Sequence, residues 1–131
     1  MSKNKRFKIK KNSISQFASS LNYAWSGLKY AFKHERNFRI EIMLTSLVIF
    51  LMLYFSLKSW EIIILFLMIV WVITVELINT VLERVVDILK PRFHPYAKLI
   101  KDIMAAVVLI SALAALVVAI IIFLPHIKSL F

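Results

Sequence analysis

The sequence predicts an all-α membrane protein: one amphipathic helix lying in the interface, followed by three transmembrane helices. Three observations predict it. The chain of 131 residues is 61% apolar, with one glycine and no cysteine. Residues 42–57, 62–75 and 103–127 form apolar stretches of 16, 14 and 25 residues. The 17 Lys and Arg residues are sharply partitioned: ten precede Ile42, five lie between Leu82 and Ile103, and only Lys58 and Lys128 remain.

A spanning helix needs about 20 apolar residues, within a range of roughly 17–25. The third stretch meets this outright. The first meets it once Ile40 and the Lys58 stem are counted. The second meets it only if Glu76 sits at or just inside the interface. By the positive-inside rule, the N-terminus and residues 83–102 face the cytoplasm, and the C-terminus faces out. The formal charge of +10 is better explained by anionic headgroups than by nucleic acid, so no nucleic-acid partner is expected. No cleavable signal peptide is expected, because the first 41 residues lack an apolar core of the required length.

Each element follows in order. Residues 1–12 read as a flexible, Lys-rich terminus, and residues 13–131 as one integral-membrane domain. Residues 13–33 place Ile14, Phe17, Leu21, Ala24, Trp25, Leu28, Ala31 and Phe32 at helical spacing, opposite Ser, Asn and Lys. That pattern predicts an interfacial helix over about 13–35. Spans are expected near 40–57, 61–88 and 97–124. A short connection around Lys58 makes the first two spans antiparallel neighbours. Pro91 ends the second span, and Pro95 suits the first turn of the third. Ala105, Ala106, Ala112, Ala114, Ala115 and Ala119 give that span a small-residue surface for close packing.

Chemistry is legible in the second span. Glu76, Asn79, Glu83 and Asp87 fall at about 0°, 300°, 340° and 20° around a helix, inside an arc of about 80°. Ionisable groups at membrane depth are costly and usually functional. Three acids on one stripe repel one another unless a cation sits among them. Glu76 lies about 10 Å deeper along the axis than Glu83, a depth suited to a lipid headgroup. Glu83 and Glu35 both fall near the cytoplasmic interface, where carboxylates suit Mg²⁺. Lys98 and Lys101 add positive charge at the same level.

Several sites are excluded. Gly27 is the only glycine, so there is no P-loop and no dinucleotide fingerprint. Zinc spacing is absent. Blander readings exist for single residues. Glu76 read alone is an acid hydrogen-bonded to another span. Lys98–Asp102 reads as an ordinary i,i+4 pair, and Glu83–Asp87 as a helix end whose repulsion Arg84 or Lys90 relieves. The constellation is more specific than any member.

Val75-Glu76-Leu77-Ile78-Asn79-Thr80-Val81-Leu82-Glu83-Arg84-Val85-Val86-Asp87 resembles the signature E-x-x-N-[ST]-x-x-E-x-x-x-D of the small prokaryotic integral-membrane lipid kinases. That family contains diacylglycerol kinase and the undecaprenol kinase of Gram-positive bacteria. Tyr23–Lys29, Glu35–Glu41 and Lys101-Asp102 with the alanines after them resemble it too, so the likeness covers residues 13–124. The resemblance implies a homotrimer with active sites between subunits, using ATP and Mg²⁺ to phosphorylate a lipid alcohol. Glu76 resembles the catalytic base. Asn79 resembles a polar partner near the transferred phosphate. Glu35 and Glu83 resemble the metal carboxylates, and Lys101 the phosphate-binding lysine. Asp87 and Asp102 match acidic positions near the nucleotide. Lys98, Arg39, Glu41 and Trp25 complete the substrate- and nucleotide-binding set. The loop Arg92-Phe93-His94-Pro95-Tyr96-Ala97-Lys98 resembles the undecaprenol branch. Ala24 and Ala97 stand where the diacylglycerol branch often carries serine. Undecaprenol is therefore the expected acceptor, with diacylglycerol the alternative. A proton-coupled transporter and a non-catalytic membrane subunit are the rival classes. The transporter leaves the Glu83–Asp87 and Lys98–Lys101 groups unexplained, and absence of phosphotransfer to several lipid alcohols would favour the subunit.

Overall fold

The computed structural model describes residues 13–89 and 94–131. The basic terminus 1–12, Lys90 and the Pro91 helix stop lie outside the described residues. Four helices follow in order: α1 (Ser13–His34), α2 (Arg36–Tyr54), α3 (Ser59–Leu89) and α4 (His94–Lys128). The last three are each long and apolar enough to cross a membrane. The chain is thus an all-α membrane protein.

Only Glu35 separates α1 from α2. Its backbone is extended, with φ −106° and ψ 115°, so the chain turns a corner there. The corner is braced on both sides. The Glu35 N–H donates to Ala31 O at 2.8 Å. The Arg39 guanidinium donates from Nη1 to Phe32 O and Lys33 O, both at 3.1 Å, serving carbonyls that the end of α1 leaves without intrahelical partners. Ala31 is the one α1 residue that is buried. Ile14, Phe17, Leu21 and Phe32 are exposed, which suits a helix resting on a bilayer surface.

The connection between α2 and α3 is short. Phe55 is extended and its N–H caps α2 through Leu51 O at 2.9 Å. Glu61 reaches back to accept from the Lys58 N–H at 2.7 Å, as in the second half of a capping box. The His126 ring lies 3.7 Å from the same carboxylate. Leu65, Ile122 and Phe123 form a small core at this end, with Val48, Leu51, Met52, Phe55 and Leu57 packed around it.

Observed boundaries differ from the expected spans by a few residues. α2 begins earlier, since the polar run from Arg36 is itself helical. α4 continues through Pro125 to Lys128, because a proline removes one N–H and the following turn still closes, with Ser129 N–H on Pro125 O at 3.1 Å. α3 has 31 residues, about 46 Å at 1.5 Å per residue, against a hydrocarbon core of about 30 Å. It is therefore longer than the hydrocarbon core is thick, and its last two turns carry Glu83 and Asp87.

Packing is densest between α3 and α4, with α2 lying on α3. The alanine face is used unevenly. Ala119 packs on the Leu65 core, whereas Ala112 and Ala115 line a cavity of about 350 Å³ between α2, α3 and α4. Glu41 and Thr45 are its polar lining residues. Large apolar side chains such as Phe50, Phe66, Trp71, Ile110 and Leu116 are exposed along the three spans. Apolar surface on that scale belongs against lipid or another protein.

Candidate active site

The stripe on α3 forms as the spacing predicts, and burial falls along it. Glu76 is 1% exposed and Asn79 8%. Glu83 is half-buried, and Asp87 is exposed. One helix face thus runs from the protein interior to water over three turns. Thr80 is buried beside Asn79, continuing the polar surface inward.

Glu76 is the focus. Its Oε2 is buried without a hydrogen-bond partner among the described residues. Glu41 of α2 lies close enough to act on it electrostatically, and its own Oε2 also lacks a partner. Glu83 and Glu35 act on Glu76 in the same way. Glu76 is thus within electrostatic reach of carboxyl groups from α2, α3 and the corner. Buried polar atoms are almost always partnered, so the open oxygens of Glu76 and Glu41 can accept from a hydrogen-bond donor or a cation. Asn79 donates from Nδ2 to Glu83 Oε1 at 3.3 Å, which turns one Glu83 oxygen toward the stripe.

Two cations close the water-facing end. Arg84 donates from Nη2 to Glu35 Oε1 at 2.5 Å, joining α3 to the corner. Its guanidinium also lies 5.8 Å from the Tyr30 ring centre. Lys101 of α4 donates to Asp87 Oδ1 of α3 at 2.7 Å. Lys101 thus offsets, from outside α3, part of the repulsion expected between Glu83 and Asp87.

Trp25 is 58% exposed on α1, and its contact is with Lys29 of its own helix. Arg39 is committed to the α1 carbonyls. Lys98 and Asp102 are exposed on the first turns of α4, and no ion pair joins them among the described residues. No group of three or more His, Asp or Glu among the described residues is arranged to cage a metal ion. Mg²⁺ is ordinarily held by one or two carboxylates, with waters and substrate phosphates completing its shell. Glu83 and Glu35, both within electrostatic reach of Glu76, fit that smaller donor set.

Sequence reasoning did not anticipate the Arg84–Glu35 pair, nor Tyr30 beneath the guanidinium. Residues 49 apart carry no shared periodicity, so helical spacing gives no signal for them.

An apolar three-span scaffold with a buried acid continuous with a charged rim defines a class: a membrane protein with a polar site running from its interior to its surface. The profile of the prokaryotic diacylglycerol kinase family matches residues 22–123. A diacylglycerol kinase of Synechocystis is 39% identical over 85% of this chain and 64% of its own length. The chain therefore spans somewhat under two thirds of that relative. The undecaprenol kinase of Bacillus subtilis is 31% identical over 88% of this chain and 94% of its own. A diacylglycerol kinase of Haemophilus influenzae is 32% identical over 78% of this chain. The chain belongs to the prokaryotic diacylglycerol kinase family. Family and relatives define a lipid kinase, a phosphotransferase with an alcohol acceptor, which implies ATP and a lipid as its substrates.

Proposed function

We propose that the protein phosphorylates undecaprenol to undecaprenyl phosphate at the cytoplasmic face of a bacterial plasma membrane. The observation that carries this reading is Glu76, buried in a helix long and apolar enough to cross a membrane, with an oxygen that has no partner among the described residues, on the same helix face as the exposed Asp87. A lipid hydroxyl cannot leave the interface, so its base must be set into the membrane wall. Glu76 takes the hydroxyl proton as the lipid oxygen bonds to the γ-phosphorus. The bond from that phosphorus to the β–γ bridging oxygen breaks, and ADP leaves. Glu41 lies across from Glu76 to orient the hydroxyl, and the otherwise apolar cavity that it lines suits a hydrocarbon chain.

Catalysis of this kind is mostly positioning and charge neutralisation. Lys101 supplies positive charge to the phosphates. Glu83 and Glu35 are the carboxylates that would hold Mg²⁺, which when bound neutralises the phosphate oxygens. Asn79 fixes the rotamer of Glu83. Asp87 and Asp102 border the nucleotide, with Lys98 beside them. Arg39 fixes the angle of the interfacial helix, and Trp25 meets the headgroup layer.

Acceptor choice rests on sequence. The His94-Pro95 loop, Lys98 and the alanines at 24 and 97 favour a polyprenol, and Ala97 is buried, with no hydroxyl to offer a glycerol. Diacylglycerol is the second reading, favoured by the 39% identical relative of that name. We further propose an N-in, C-out orientation, from the Lys and Arg partition, and a homotrimer. The trimer is supported by the exposed apolar spans and by buried polar atoms, Glu76 Oε2, Thr80 Oγ1 and Ser111 Oγ, that find no partner within one chain.

One assay decides. Membranes holding the protein receive γ-labelled ATP with undecaprenol and diacylglycerol in competition. Label in the polyprenyl phosphate is the expected result. Preferential label in phosphatidic acid overturns the acceptor, and label in neither overturns the kinase reading.

A further inference from the structure

We infer that Arg84 is a second phosphate-binding cation, held by Glu35 until a nucleotide arrives. The inference rests on the lipid-kinase reading above. Its basis is a three-part contact. Arg84 Nη2 donates to Glu35 Oε1 at 2.5 Å, and the guanidinium carbon lies 5.8 Å from the Tyr30 ring centre. Tyr30 comes from α1, Glu35 from the corner and Arg84 from α3. The Arg84 side chain is 48% exposed while that of Glu35 is 16% exposed, so the guanidinium is the part of the pair open to water.

A guanidinium carries five N–H donors in a planar fork that matches phosphate oxygens. Glu35 engages one of its nitrogens, which leaves donors for an incoming anion. Lys101 is near enough for the two cations to repel, and it rests on Asp87 at 2.7 Å. Both cations are thus parked on carboxylates at the same end of α3. Arg84 lies about 80° from Glu76 around the helix, beside the acid row and toward the corner.

A nucleotide triphosphate with a divalent ion delivers an anion and a cation together. The exchange conserves charge: phosphate oxygens take the guanidinium, and the divalent ion takes the released Glu35 carboxylate. No covalent bond changes. Glu35 therefore has two partners in turn, and Arg84 competes with the metal for it only while nucleotide is absent.

Competition gives effects of opposite sign, which a merely structural salt bridge would not. The full chain in nanodiscs is compared with Arg84→Gln and Arg84→Lys. Binding of Mn²⁺ alone is read by electron paramagnetic resonance. Binding of a non-hydrolysable ATP analogue with Mg²⁺ is read by displacement of a fluorescent nucleotide. Arg84→Gln is expected to tighten Mn²⁺ binding by about fivefold and to weaken the nucleotide by at least as much. Arg84→Lys, which keeps a point charge without the fork, is expected to fall between. Mn²⁺ binding that is unchanged or weaker in Arg84→Gln overturns the inference, and so does unchanged nucleotide affinity. Circular dichroism melting of each variant separates loss of fold from loss of the cation. Neither binding readout requires turnover, so a failed lipid assay with wild-type protein sinks the kinase reading without deciding this one.

Discussion

Asn79 and Glu83, one turn apart on α3, are joined by a hydrogen bond of 3.3 Å from Nδ2 to Oε1. The amide is buried and the carboxylate is half-buried, so the bond sits where the protein interior opens to water. It commits one Glu83 oxygen to the helix and leaves the other for a ligand. Asn79→Ala should lower divalent-metal affinity by about ten- to a hundredfold, the usual cost of losing an outer-shell partner. Titration of activity with Mg²⁺ at saturating ATP measures it. An unchanged metal dependence would show that Glu83 needs no such support.

Glu76→Gln keeps the shape of the side chain and removes its capacity to accept a proton. Turnover should fall by about a hundred- to ten-thousandfold, the range for losing a positioned general base. Nucleotide binding should stay near wild type. Steady-state labelling of lipid together with nucleotide displacement distinguishes the two, and full turnover in the variant would refute the assigned base.

The Lys101–Asp87 bridge is exposed on both sides, with side chains 40% and 46% accessible. Such bridges contribute about 0–1 kcal/mol. Asp87→Asn and Lys101→Met should each leave the melting temperature within a few degrees of wild type. Lys101→Met should nonetheless raise KM for ATP. A melting temperature that collapses in either variant would mean the bridge is architectural.

Ile122 is 3% exposed in the small core remote from the acid stripe. Ile122→Ala should destabilise the fold by about 2–5 kcal/mol through the cavity it leaves. Acceptor preference should not change. Thermal inactivation in detergent and the competition assay together check this.

Glu61 accepts from the Lys58 N–H at the start of α3. Glu61→Ala removes that cap and should cost about 1 kcal/mol. The test is a melt of the variant in matched detergent, and no change would mean solvent replaces the cap fully.

The sequence made the helix count and the α3 stripe readable for one reason: both are periodic within a single segment. Glu76, Asn79, Glu83 and Asp87 share a face because 3, 7 and 11 residues are near-whole turns. The placement of Glu41 beside Glu76, of Lys101 on Asp87 and of Arg84 on Glu35 depends on how separate helices cross, which no local pattern encodes. The resemblance named most of these residues without joining them. α4 runs on through Pro125 because one missing N–H near a helix end costs little. The alanine face suggested close packing along its length, yet Ala112 and Ala115 face a cavity that Leu65 and Phe123 also line.

A single extended residue, Glu35, carries both the bend of the chain and a carboxylate of the site. The surface helix before it is steered by headgroups, and the span after it by the thickness of the oil. Any change in the tilt between the two swings that carboxylate relative to α3. The turn of the chain and the Arg84–Glu35 pair thus share one backbone angle pair.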